Sequence, residues 1–357
     1  MSTSVDTPGV RAWQVTRYGR PTEALEFTTV PSPRAGPLEI LVRTSSSVCN
    51  YNEVDGCHGR YLTINPPLPY TLGMEFVGEV IDAGPGAEAW VGRRVMGTGA
   101  GAIGAHAEQV VGPAEMAFDV PPELSDIEAA AFYYPFHLAH LGLHERGGLQ
   151  EGETVLVHAA AGGVGSAAVQ LAVAAGARVV ATAGGSEKLE VARSLGAEVA
   201  IDYRGGGFAA AVLDATAGRG VDMCFDGVGG EVTTESLRCL ARNGRHLVVG
   251  FASGIEAEET PMVSGRTLCF GNISLMGVLL AYLDSQLVPP GSGFNPTPRA
   301  VGDQVHAHLI ELLRAGRIRP VVGKTVPFEE LPAALEQMED RSTIGRVVVQ
   351  IGPPASA

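Results

Sequence analysis

The sequence predicts an α/β fold, a doubly wound parallel sheet of six strands joined to a β-rich domain. Three observations predict it. Short apolar runs alternate with helical segments from Thr154 to Val278, as buried parallel strands and their crossovers do. A turn of tiny residues, Ala159–Gly165, separates the first of these runs from an Ala-rich segment. Ahead of it lie short runs of valine and glycine broken by turns, which suit a tightly bent small barrel.

Residues 1–10 read as disordered. Arg11–Thr16 and Ala24–Val30 are expected strands around a Tyr18-Gly19-Arg20-Pro21 turn, and Ile40–Thr44 follows the Pro31–Pro37 loop. Ser45–Tyr61 is polar and aromatic, unlike a core element. Leu72–Val80, Val91–Gly97, Ala105–Val111 and Ala117–Val120 continue the barrel, and Glu128–Arg146 is mainly helical.

Thr154–His158 (strand), the tiny-residue turn, Ser166–Ala175 (helix) and Arg178–Thr182 (strand) form one βαβ unit. Its turn carries Ala160-x-Gly162-x-x-Gly165 where a dinucleotide site has G-x-G-x-x-G. Gly162 leaves room for a pyrophosphate against the backbone, and Gly165 lets the helix pack on the strand. Ala161, Gly162, Gly163, Val164 and Gly165 thus form a phosphate turn at a helix N-terminus, with free N–H groups and a positive dipole end. Beyond it come a helix at Leu189–Leu195, a strand at Val199–Ile201 and a helix near Phe208–Thr216. A strand at Asp222–Asp226, a helix at Val232–Leu240, and strands at Arg245–Gly250 and Ile273–Val278 complete the alternation. After the Pro289–Gly293 loop, Val301–Ala315 and Leu331–Asp340 are helices flanking the extended Arg317–Val326. Arg346–Ile351 is a last apolar strand that closes on the first domain.

The 357 residues suggest two domains, and 45% hydrophobic content allows a sizeable core. A net charge of −14 argues against nucleic acid. No apolar stretch is long enough to span a bilayer, and the N-terminus carries no signal peptide. The odd count of five cysteines at irregular spacing fits a reducing cytosol, with Cys224, Cys239 and Cys269 as small core residues. The expectation is a cytoplasmic protein with no nucleic-acid or membrane partner.

Leu72-Gly73-Met74-Glu75-Phe76-Val77-Gly78, Val155–Gly165, Asp226-Gly227-Val228-Gly229-Gly230 and Gly345-Arg346-Val347-Val348 occur in that order over residues 11–351. In these motifs the chain resembles the zinc-free quinone oxidoreductase (zeta-crystallin-like) branch of the medium-chain dehydrogenase/reductases. The resemblance implies a GroES-like domain at 1–127 completed by 286–357, and a Rossmann NADP-binding domain at 128–285. It also implies an active site in the cleft and a homodimer joined by edge strands. At the family's catalytic zinc positions this chain has Asn50 and Met74, neither a zinc donor, and it lacks the structural-zinc cysteines. No metal is therefore expected. Cys49, Cys57 and His58 lack a compact ligand spacing.

The expected activity is NADPH-dependent hydride transfer to quinones or α,β-unsaturated carbonyl compounds. The alternatives are an enoyl-thioester reductase, for which Arg60 and Arg299 are isolated basic candidates, and a non-catalytic, crystallin-like NADP-binding protein. Asn50 resembles the family's cleft amide donor; the plainer reading is a loop-stabilising side chain. Tyr61 matches the proton-donor tyrosine of related enoyl-thioester reductases, or else packs as an aromatic lid. Asp55 lies between them and reads as a solvated carboxylate. His137 and His140 flank the cofactor entrance of the family, and Leu138 replaces its usual threonine. Thr182 runs straight into Ala183-Gly184-Gly185-Ser186, with no acid where an NAD enzyme holds the ribose 2′-hydroxyl; Glu187 is the competing sign, placed on the first turn of a helix facing solvent. Gly184, Ser186, Lys188 and Tyr203 instead suit a 2′-phosphate. By resemblance, Gly250 and Phe251 border the nicotinamide, Asn272 lies nearby, and Arg346 sits near the phosphates.

Overall fold

In the computed structural model, which describes residues 9–60, 66–253, 263–284 and 291–353, the chain forms two units. The expected disorder of the N-terminus falls almost wholly outside these residues. One unit comprises residues up to Tyr133 together with those from Val322 onward; the other runs from Tyr134 to Val321.

In the first unit, β1 (Gly9–Val15) is followed by the single turn α1 (Pro21–Ala24) and β2 (Leu25–Pro31). The long β3 (Glu39–Val48) leads into α2 (Tyr51–Cys57), then β4 (Tyr70–Thr71), β5 (Glu75–Ala83), β6 (Arg94–Thr98), β7 (Gln109–Pro113) and β8 (Phe118–Asp119). β1 sits between β2 and β4 in a small antiparallel sheet. β3 pairs antiparallel with both β5 and β7, which buries it nearly throughout. Gly78 of β5 permits this closeness, because a Cβ there would stand 2.0 Å from the Arg43 carbonyl oxygen. Ser45–Ser47 and residues 53–57 are buried rather than solvated. Their polar groups bond within the fold, so polarity misleads about burial there.

The division between the units falls within α3 (Asp126–His140), whose last residues run on into a π-helical turn at Leu141–Arg146. The second unit then alternates as expected: β9 (Thr154–Val157), α4 (Gly163–Ala174), β10 (Arg178–Ala183), α5 (Ser186–Ser194), β11 (Val199–Asp202) and α6 (Phe208–Ala215). β12 (Val221–Asp226), α7 (Glu231–Ser236), β13 (Leu240–Val248), α8 (Gly265–Gly271), β14 (Ser274–Gly277) and α9 (Arg299–Arg314) follow. The six strands are parallel in the order β11-β10-β9-β12-β13-β14. Strand order reverses between β9 and β12, and a ligand crevice is expected at their carboxyl ends.

α9 belongs to this second unit, not to the domain expected from residue 286 onward. The reason is local. Gln170 on α4 donates to the Arg319 carbonyl at 3.0 Å and accepts from the Arg319 amide at 2.9 Å, and Arg317 bonds the Ala174 carbonyl. Only at β15 (Val322–Pro327) does the chain rejoin the first unit, followed by α10 (Leu331–Glu339) and β16 (Arg346–Gln350). β16 pairs parallel with β15 and antiparallel with β3, so the C-terminal strand closes the first unit's large sheet as expected.

Candidate active site

The phosphate turn is built by close packing. A Cβ on Gly165 would stand 2.2 Å from the Ala159 carbonyl oxygen, and one on Gly162 3.2 Å from the same atom. Glycine is therefore what brings α4 against the end of β9. The helix begins at Gly163, three residues earlier than expected, with Gly162 as an N-cap that offers no side-chain bond. The N–H groups of this first turn are left for an anion. Ala161 is buried beneath the turn.

A buried hydrogen-bond network fixes the strand ends below. His158 Nδ1 lies 2.8 Å from Thr182 Oγ1 and its Nε2 2.7 Å from Ser236 Oγ. Asp226 accepts from the amides of Val228 and Gly229, from Thr233 Oγ1 and from His246. Burial lifts the Asp226 carboxyl, but His246 and His158 outweigh it and hold the group below the usual range. This shapes the Asp226–Gly230 turn. Gly250 lies against that turn, with a Cβ there 3.1 Å from the Gly227 carbonyl oxygen, and the amide after Phe251 bonds the same carbonyl at 3.2 Å. Gly250 and Phe251 thus stand at the crevice end of the sheet.

Asn272 does not. Val157, Phe225, Leu247 and Met276 share one level across the sheet. Asn272 precedes Met276 by four residues, about 13 Å of strand toward the opposite edge. It caps α8 in the left-handed conformation, φ 47°, which asparagine tolerates.

At the end of β10, the Tyr203 hydroxyl lies beside Gly184, 3.0 Å from where a Cβ would be. Ser186 opens α5 and Lys188 sits in its first turn. Two further residues join them. Asp202 accepts from the Gly185 amide at 3.2 Å and binds Arg204 through Nη2 at 2.7 Å. Bonds from Arg204 hold the Asp202 carboxyl down at about 2. Neither is visible as a site residue until the pairing of β10 with β11 sets Asp202 beside Ala183.

In the first unit, Asn50 caps α2 through a reciprocal capping box with Glu53. Its Nδ2 is shared between the Val48 carbonyl (3.4 Å) and Glu53 (3.3 Å), and its Oδ1 accepts from Arg346 at 3.0 Å. Committed in this way, the amide fits the loop-stabilising reading. Arg346, where the resemblance implies a residue beside phosphates, is buried on Asn50 and on Glu75. Burial outweighs Arg346 and keeps the Glu75 carboxyl above its ordinary value. Glu53 extends the network through His106 (2.9 Å) to Ser47. Burial pushes Glu53 up, but His106 and amide bonds from Met74 and Asn50 bring it below the usual range. The Asn50-x-x-Glu53 spacing was the one sequence signal for this network.

Tyr61 lies outside the described residues. Asp55 is buried against Arg60 at 3.3 Å and is not solvated, and Arg299 pairs with Asp303 at 2.9 Å. Cys49 and Cys57 are buried thiols with raised pKa values, Cys57 at about 12, and His58 bonds Glu339. Cys269 is exposed, not a core residue as expected, because α8 turns its side chains outward. His137 is buried between Tyr282 (3.0 Å) and His306 (3.2 Å), and the His140 ring lies tilted against His144 and edge-on to His308.

Comparison with known proteins agrees with this layout. Residues 36–122 match the alcohol dehydrogenase GroES-like domain, and residues 163–289 match the domain described as zinc-binding dehydrogenase. The mouse quinone oxidoreductase-like protein 2 is 32% identical, over 90% of this chain and 87% of its own length. The chain belongs to the medium-chain dehydrogenase/reductase family, in its quinone oxidoreductase branch. Another member, a 2-haloacrylate reductase from Burkholderia, is 31% identical over 91% of this chain and 93% of that one. A mycobacterial member solved in complex with NADPH superposes with a TM-score of 0.83 at 30% identity, covering 96% of this chain and all of that chain.

Proposed function

We propose that this protein is an NADPH-dependent, zinc-independent oxidoreductase that reduces quinones or α,β-unsaturated carbonyl compounds in the cytoplasm. The uncapped glycine turn Gly162–Gly165, at the crevice end of the sheet, carries the reading. The mycobacterial relative's NADPH complex and the haloacrylate reductase support it. Bound NADPH supplies the hydride. The first-turn amides of α4 hold the pyrophosphate, and Ser186, Lys188 and Tyr203 the 2′-phosphate. Gly250 and Phe251 would border the nicotinamide. Asn50 and Met74 stand where zinc donors would, and the Arg346 cation 3.0 Å from Asn50 Oδ1 disfavours a dication there. Mixing the protein with NADPH and a panel of quinones and enones tests the proposal through the fall in NADPH absorbance. Failure to bind NADPH at all would overturn it.

Tyr61 separates the substrate classes. Hydride addition to an activated C=C leaves an enolate that must take a proton, and a phenol with pKa near 10 can give it. A hydroquinone anion collects its proton from water. Positioned proton transfer contributes about 10²–10⁴-fold. Tyr61→Phe is therefore expected to slow enone reduction by at least about tenfold and to alter quinone reduction only slightly. Equal losses on both would make Tyr61 a packing residue.

Lys188→Ala is expected to weaken NADPH binding by about 10-fold to 150-fold, the loss of one charge-assisted contact, with little change for NADH. Titration with each cofactor checks this, and equal losses would remove Lys188 from the 2′-phosphate site.

A homodimer through β14 is part of the proposal. β14 ends its sheet, its side chains are mostly exposed, and Phe270 and Leu275 stand exposed beside the free edge. A parallel edge that no strand of the described residues covers invites pairing with a second copy.

A further inference from the structure

An acid does stand at the end of β10, but it arrives from the neighbouring strand. Asp202, paired with Ala183, accepts from the Gly185 amide at 3.2 Å. That is where a carboxylate takes the ribose 2′-hydroxyl of NADH. Arg204 covers it. Nε lies 3.0 and 3.2 Å from the two carboxylate oxygens, and Nη2 donates to one of them at 2.7 Å. The guanidinium also lies flat on Gly185: Nη1, Nη2 and Cζ stand 3.1, 3.1 and 3.2 Å from where a Cβ would be. Gly185 is thus required twice, for its φ of +94° and for this stacking. Nη1 makes no hydrogen bond among the described residues, and the side chain is 60% exposed.

We propose that Arg204 and Asp202 together set the cofactor preference: Arg204 masks a carboxylate that would favour NADH and turns its own guanidinium toward the 2′-phosphate. The proposal rests on the NADPH reading above. Asp202 serves as the tether. It aligns the fork of Arg204 before any ligand arrives, so less side-chain freedom is lost on binding. The arrangement works by attraction to one cofactor and by withdrawal of a contact from the other, as specificity commonly requires.

The test is direct titration of the full-length protein with NADPH and with NADH. Wild type, Arg204→Ala, Arg204→Gln and the double variant Arg204→Ala/Asp202→Asn are compared, with thermal unfolding to confirm folding. Arg204→Gln keeps the stem over Gly185 if the alanine variant folds poorly. Both single variants are expected to raise the NADPH dissociation constant by about 10-fold to 150-fold and to leave NADH binding unchanged or tighter. Adding Asp202→Asn should recover part of the NADPH loss and remove any gain for NADH. Wild type that binds neither cofactor, or prefers NADH, sinks the NADPH reading itself. Wild type that prefers NADPH, with single variants that lose both cofactors equally or neither, overturns this inference alone. A double variant that matches Arg204→Ala for both cofactors overturns the masking role of Arg204.

Discussion

Lowering the pH from 7 to 5 is expected to remove several kcal/mol of stability from the second unit. Three buried histidines are responsible. His137 is held well below its ordinary value of 6.5 by burial first and then by His306, His140 and Arg299. His140 is pushed down to about 3 by burial and by His144 and His308. His158 is pushed down to about 4 by burial, against the pull of Asp226. In the unfolded chain each takes a proton near pH 6.5; in the fold His140 and His158 stay neutral at pH 5, and burial holds His137 in the same direction. The unfolded state therefore binds more protons between those limits, and stability falls as pH falls through that window. At about 1.4 kcal/mol per unit, His140 and His158 each cost about 2 kcal/mol at pH 5, or about 4 kcal/mol together as an upper bound, and His137 acts in the same direction. Glu75, raised by burial, acts with the opposite sign in the first unit. Urea unfolding at pH 7, 6 and 5 measures it. A midpoint that does not move would mean that these imidazoles become charged without opening the fold.

Arg346→Met is expected to destabilise the first unit by about 3–5 kcal/mol, because it leaves a buried carboxylate without its cation. Glu75 is almost wholly buried, and burial already outweighs Arg346 in setting its pKa. Without the guanidinium it must stay charged in an apolar site or take a proton that it gives up on unfolding. Asn50 Oδ1 also loses its donor. Replacing both partners, Arg346→Met with Glu75→Met, should recover much of the loss, since an apolar pair of similar volume is often neutral. Denaturant midpoints of the two variants decide between a network that stabilises and one that is only tolerated. If Arg346→Met alone unfolds at the wild-type midpoint, the pair is not holding the sheet.

The second unit was legible because its information is local. Runs such as Val155–Val157 and Val179–Ala181 are buried on every side, and an apolar run is visible without knowing its neighbours. The start of α4 was misplaced because glycines lower helix propensity, while this turn uses them inside its first helical residues. The polar network of the first unit was hidden for the opposite reason. Asn50 and Arg346 meet across 296 positions of sequence, and only strand pairing brings them together. Arg204 was missed beside Tyr203 because its role depends on the β10–β11 register. Cys269 shows the reverse error: a residue beside a predicted core strand that lies instead on α8, whose side chains are all outside the core.

The return of the chain at Val322 also sets an order of assembly. The second unit is one uninterrupted stretch, Tyr134–Val321, made before β15 and β16. The first unit is started ahead of it yet lacks β16, the partner of β3, until the residues after Val322 are made. Domains fold largely as units during translation, so the earlier-made sequence is the later to finish. Until then β3 exposes an unpaired edge on a nascent chain. A released chain truncated after residue 321 should therefore hold a protease-resistant second unit behind a protease-sensitive first one.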